Sequence, residues 1–196
     1  STLVPLGLGD FLLDDGYEPH WGDWQADADF GADLATLAAE QTAAGLAPAI
    51  WVAPFYLDVT DPDYAAHPEW VGRDDDGAPR LFQNVGPTYA ALEVTVPAAR
   101  ERVVSALRAL RDAGYRTLKI DFLFGGALEG ARTPALTSLE AYATWMQTLR
   151  EAVPEVHLVG CGAPLLPSAG WVHSMRVGPA IAYSLLPEPA WDFLAS

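Results

Sequence analysis

Short apolar runs of strand character alternate with longer segments of helical period, and this alternation restricts the fold more than any other feature of the chain. Residues 8–13 are largely apolar and end in the turn signal Asp14-Asp15-Gly16. Residues 30–44 carry Ala and Leu at helical spacing and stop at Gly45. The run PAIWVAPF (48–55) is apolar on both faces, as strands of a parallel sheet are. Residues 56–90 read as a long excursion of loop and turn chemistry, and 89–96 as a short strand. A helix is expected over 98–113, with Pro97 at its first position and Gly114 at its end. Strands at 118–124, 156–161 and 174–177 flank a helix over 138–153 that Pro154 stops.

Strand, helix and strand in this order imply a parallel sheet with right-handed crossovers. About five such units fit the chain, whereas a closed (β/α)8 barrel takes about 250 residues. Polar side chains gather at the C-terminal ends of the strands: Asp14, Asp15, Trp51, Lys119, Asp121, Cys161 and Arg176. Both a (β/α)8 barrel and a doubly wound open sheet build their sites on that rim. The pattern locates a site and leaves the two architectures open.

Composition narrows the function. Acidic side chains number 26 against 11 basic ones, a formal net charge of −15. Such a surface repels phosphate backbones and anionic membranes, which argues against nucleic acid as a partner. No run of about 18 apolar residues is present, so no membrane-spanning helix is expected. The single cysteine, Cys161, excludes an internal disulfide framework and a Cys-rich zinc site, and points to a reducing, cytoplasmic setting. Histidines 20, 67, 157 and 173 have neither zinc spacing nor a triad layout, and Gly125-Gly126 matches neither nucleotide fingerprint. The start has no basic segment leading an apolar core, and both ends read as cuts through a longer protein. Nothing in the sequence speaks to oligomeric state.

The densest chemistry lies in Lys119-Ile120-Asp121-Phe122. Strand alternation puts Lys119 and Asp121 on one face and Leu118, Ile120 and Phe122 on the other. Two inward charges are costly unless they serve each other or a ligand, so an internal ion pair and a catalytic carboxylate with its cation both fit. Asp14-Asp15-Gly16 fits a turn, a metal site or a grip on sugar hydroxyls, and Cys161 alone reads as a small buried hydrophobe. Trp21, Trp24 and Trp51 stand near strand ends, where an indole face can stack on a sugar ring.

Taken in order, FLLDDGYEPHWGDW (11–24), GLAPAIWVAPF (45–55), HPEW (67–70), LKIDFLFGGAL (118–128) and GCGAPLLPSAGWVHSMRVGP (160–179) resemble the α-galactosidases of glycoside hydrolase family thirty-six. The resemblance implies part of a (β/α)8 catalytic barrel, roughly its second to sixth strands. Flanking β-rich N- and C-terminal domains are expected outside the chain. It also implies retaining hydrolysis of terminal α-galactosides by double displacement, without metal or organic cofactor. Carried over by position, Asp121 is the nucleophile and Lys119 binds sugar hydroxyls. Asp14 and Asp15 hold O4 and O6, Trp51 lines the pocket near O6, and Cys161 and Arg176 sit by O2.

The sequence departs from the family at one decisive place. Where an aspartate should follow four residues after the arginine, the chain reads Arg176-Val177-Gly178-Pro179-Ala180. Retaining hydrolysis uses two carboxyls about 5–5.5 Å apart, and Ala180 can neither give nor take a proton. Two accounts fit the alanine: an engineered acid/base knockout, or a relative that has kept sugar binding and lost hydrolysis. The latter makes a non-catalytic galactoside-binding barrel the alternative function, with α-N-acetylgalactosaminidase or transglycosylase specificity a third. Glu93 stands where the family has Asp, and His173 where an acid is common.

Overall fold

A computed structural model describes residues 4–84 and 86–178. Ala180 lies outside them. Five strands form a parallel sheet in the order β1 (Asp10–Leu13), β2 (Ala47–Val52), β6 (Thr117–Ile120), β7 (His157–Gly160) and β8 (Ser174–Met175). Helices α1 (Leu34–Ala43), α3 (Pro97–Asp112) and α4 (Ser138–Ala152) connect them, with the one-turn α5 (Leu165–Ser168) before β8. The expected strand–helix alternation is therefore present as a five-stranded sheet, a partial α/β fold.

Helix ends follow local chemistry. Asp33 caps α1 by accepting the Thr36 N–H at 2.8 Å. Phe30, expected inside this helix, belongs instead to a separate 3-10 turn ended by Gly31. Thr137 and Glu140 form a reciprocal capping box that starts α4. Inward residues of the helices, among them Leu107, Leu110, Tyr142, Trp145 and Leu149, share one core with Ile50, Leu118, Ile120 and Leu158 of the sheet. On β6 and β7 the alternate residues Lys119 and Val159 are less buried. Alternation thus sends one set of strand side chains into the helical layer and leaves the other set free for a site.

Two sequence expectations give way. Residues 56–90 are not all loop: β3 (Tyr56–Asp58), β4 (Leu81–Gln83) and β5 (Thr88–Ala91) form an antiparallel three-stranded sheet, with the short α2 (Pro62–Ala66) between β3 and β4. The run 89–96 is part of this small sheet and leaves strand geometry after Ala91. Glu93, the residue out of keeping with the family, explains the anchoring. It pairs with Arg80 and lies 3.4 Å from Arg132 Nε, all three side chains being buried. Arg80 and Arg132 both donate to the Leu128 carbonyl, at 2.9 and 2.6 Å, tying the small sheet to the segment after β6.

The second expectation concerns 118–124. The strand stops at Ile120, because Phe122 takes a left-handed conformation (φ 53°) and residues 123–127 form a 3-10 turn. A bulky residue there costs of order 1–3 kcal/mol, and such strain collects at functional sites. Gly125 follows for a packing reason: a Cβ would stand 2.6 Å from the Tyr56 ring.

Candidate active site

Strand register brings the predicted residues together. Asp121, Cys161 and Arg176 are each the first residue after β6, β7 and β8. Each donates its backbone N–H to the last carbonyl of the preceding strand: Asp121 to Val52 at 2.8 Å, Cys161 to Ile120 at 2.9 Å, Arg176 to Gly160 at 2.9 Å. The three therefore stand at one level above the sheet. Two residues lower, Trp51 is level with Lys119 in the β2–β6 register, and Asp14 directly follows the Leu13–Ile50 pair. The same face of the sheet thus carries two tiers of polar side chains at its C-terminal edge.

Asp121 is only 5% exposed. Its Oδ2 accepts the Trp51 indole N–H at 3.2 Å, its Oδ1 accepts the Phe122 backbone N–H at 2.8 Å, and Arg176 Nη2 lies 3.6 Å from Oδ1. Gly162 keeps the neighbouring space open, since a Cβ there would stand 3.4 Å from Asp121 Oδ1 and 3.2 Å from the Phe122 backbone. Two hydrogen bonds and the nearby Arg176 charge converge on one carboxylate and leave it oriented. Such a group can act as a nucleophile or as an electrostatic stabiliser.

Lys119 does something other than neutralise Asp121. Its Nζ donates to both oxygens of Asp14, at 3.0 and 2.7 Å, so its ion pair joins the end of β1 to β6. Of the two readings of the 119–121 spacing, the structure supplies a third: each charge has a partner from a different strand. Asp14 and Asp15 stay exposed, with Asp14 Oδ1 accepting the Asp15 N–H at 3.0 Å and Asp15 Oδ1 accepting the Trp21 indole N–H at 2.9 Å. Trp51 is 2% exposed and offers its N–H edge to Asp121, not a face to solvent. Its ring lies against Trp21 (centroids 5.1 Å) and Phe122 (6.4 Å), and Trp21 stacks on Tyr89 of β5 at 3.8 Å. The antiparallel sheet therefore supplies one aromatic side of the site.

Cys161 is buried, and burial first, then the Asp121 charge, push its thiol above the ordinary range. It is a neutral neighbour of the carboxylate, not a second nucleophile. His173 stands apart. It precedes β8, stacks on His157 at the start of β7 and accepts the Leu158 N–H at 2.9 Å. That is the N-terminal edge of the sheet, opposite Asp121. Sequence reasoning missed Glu18 and Tyr17. Both are buried in the loop after β1, Tyr17 donating its hydroxyl to the Trp51 carbonyl at 3.0 Å. Their only sequence signal is adjacency to the DDG turn and the aromatic pair Trp21 and Trp24.

No protein-family model matches the chain. Solved structures do. An α-galactosidase from Thermus thermophilus, in complex with p-nitrophenyl α-D-galactopyranoside, is 35% identical with a TM-score of 0.80, over 87% of this chain and 35% of that one. The same enzyme in complex with stachyose matches equally well over 37% of its chain. A glycoside hydrolase family 36 α-galactosidase from Geobacillus stearothermophilus, with 1-deoxygalactonojirimycin, shares the fold at 19% identity and TM-score 0.68, over 89% of this chain and 27% of that one. The chain thus spans about a third of the length of the Thermus enzyme. Over most of its own residues, this chain resembles the α-galactosidases, members of glycoside hydrolase family 36 among them.

Proposed function

We propose that the chain is part of the (β/α)8 catalytic barrel of a retaining glycoside hydrolase acting on terminal α-galactosides, with Asp121 as nucleophile. The observation that carries the reading is the convergence of the Trp51 and Phe122 N–H donors and the Arg176 guanidinium on a 5%-exposed carboxylate at the C-terminal edge of a parallel sheet. The two ligands of the matching Thermus enzyme, p-nitrophenyl α-D-galactopyranoside and stachyose, support the substrate class. Asp14 and Asp15 accept hydrogen bonds from the galactose hydroxyls at O4 and O6. Lys119 orients Asp14 and donates to further hydroxyls, and Arg176 with Cys161 borders O2. Trp51 works through its N–H on Asp121 as well as lining the pocket.

In the first step an Asp121 oxygen bonds to C1 while the C1–O bond to the leaving group breaks, inverting the anomeric centre. In the second, water attacks C1, the carboxylate leaves and configuration is restored. An aspartate at position 180 would protonate the leaving oxygen and then take the water's proton; Ala180 does neither. The protein as written therefore binds galactosides and hydrolyses natural ones very slowly. The same alanine favours the second reading, a sugar-binding barrel without catalysis.

A 2,4-dinitrophenyl α-galactoside separates the two, because its leaving group needs no proton. A live Asp121 is expected to release about one equivalent of dinitrophenolate in a burst, and azide should then speed turnover and yield the α-galactosyl azide. Sugar binding with no burst would establish the binding module.

A further inference from the structure

The loop after β1 holds a buried acid with no role in the proposed chemistry. Glu18 is 9% exposed. Its Oε2 accepts the Tyr17 N–H at 3.1 Å, while its buried Oε1 has no donor among the described residues. The Asp15 carboxyl is its close neighbour, and Asp15 Oδ1 receives the Trp21 indole N–H at 2.9 Å. The titratable groups that face Glu18 are Asp15 on its own loop, the adjoining Tyr17 and Tyr89 of β5, with Asp23 and Asp58 a further step away. None is a cation.

An ionised Glu18 would leave Oε1 a buried, unpaired acceptor beside a second carboxyl. A protonated Glu18 removes both difficulties by donating to Asp15. We infer that Glu18 is a positioning residue for the sugar-hydroxyl clamp: as a carboxylic acid it donates to Asp15 and, with Trp21, holds that carboxylate in its sugar-gripping orientation. The inference rests on the site reading above.

Burial foremost, then the Asp15 hydrogen bond, push Glu18 from its ordinary value of 4.5 up to about 8. Burial also raises both neighbouring phenols, Tyr89 to about 12, so neither ionises before Glu18. Above pH 8 the acid becomes a second anion against Asp15, the donated hydrogen bond is lost and the clamp loosens. The sign for stability follows from the raised value: the contribution is complete below pH 4.5 and is lost as pH rises to about 8.

The test titrates galactose into the complete protein by calorimetry from about pH 6 to about 9.5, alongside E18Q, whose amide keeps an N–H donor for Asp15; sugar-free unfolding midpoints are taken in parallel. Wild-type affinity is expected to fall about fivefold across the upper half of this range, and E18Q affinity to stay level. The stability of the wild type relative to E18Q should decline between pH 4.5 and about 8. Galactose binding that is level in the wild type, or that falls equally in E18Q, overturns the inference while leaving the site reading standing. Absence of galactose binding in both proteins refutes the site reading, and with it the role of Glu18, even where the stability difference reveals the shared proton.

Discussion

Asp121→Ala is expected to abolish the dinitrophenolate burst, with cleavage of the activated galactoside falling about 10⁴–10⁶-fold, the scale on which removal of a nucleophile acts. Among the described residues, no group beside Asp121 is placed to take over. Cys161, at the equivalent position on β7, is held as a thiol by burial, the largest cause of its raised value and one that outlasts the loss of Asp121. Arg176 and the Trp51 indole are donors. The space left by the deleted carboxylate should admit azide, giving the β-galactosyl azide, opposite in configuration to the product expected from the unaltered protein. Stopped-flow release of dinitrophenolate and NMR of the azide product check both halves. A retained burst would place the nucleophile elsewhere.

Ala180→Asp carries the second large effect, in the opposite direction. General acid–base assistance contributes about 10²–10⁴-fold, or roughly 3–5 kcal/mol of barrier, and an alkoxide leaving group needs all of it. Hydrolysis of melbiose-type galactosides by the complete protein should therefore rise by that factor. The first-step rate on the dinitrophenyl substrate should barely change, because that leaving group departs unaided. The contrast between the two substrates is the diagnostic feature of a restored acid. Equal gains on both would mean that the aspartate repairs folding or binding, and no gain on either would contradict the assignment of position 180.

Much of this site was legible before any coordinates, and the reasons are local. Apolar runs bounded by Gly and Pro mark strands, and a carboxylate, thiol or guanidinium just after such a run stands at the strand's C-terminal end whatever its partners. Cys161, the last residue of the expected run 156–161, fits this rule, whereas Asp121 and Arg176 fall inside the expected runs 118–124 and 174–177, which the structure ends at Ile120 and Met175. Cross-strand register was not legible, because it depends on pairings far apart in the chain. Lys119 and Asp14 are separated by 105 positions, and only the β1–β2–β6 register brings them within 2.7 Å. Glu18 escaped for a related reason. An acid in a loop rich in charged and turn-forming residues reads as surface, and it is buried here beside Tyr17, Trp21 and Tyr89, contributed partly by the small antiparallel sheet. That sheet was itself hidden, since strands of three or four residues broken by Gly and Pro are too short for a two-residue period to stand out. The early end of β6 depended on a left-handed phenylalanine, a conformation that bulky side chains seldom adopt and that tertiary packing imposed.

The central claim is that the carboxylate one residue beyond β6 forms a covalent bond to galactose C1, and mass spectrometry tests it most directly. The complete protein is incubated with the dinitrophenyl galactoside, quenched in acid and digested. Because Ala180 cannot activate water, the glycosyl-enzyme should accumulate, and one galactosyl unit is expected on the peptide carrying Asp121. A galactosyl unit on any other residue, or an unlabelled protein after a full burst, would contradict the account.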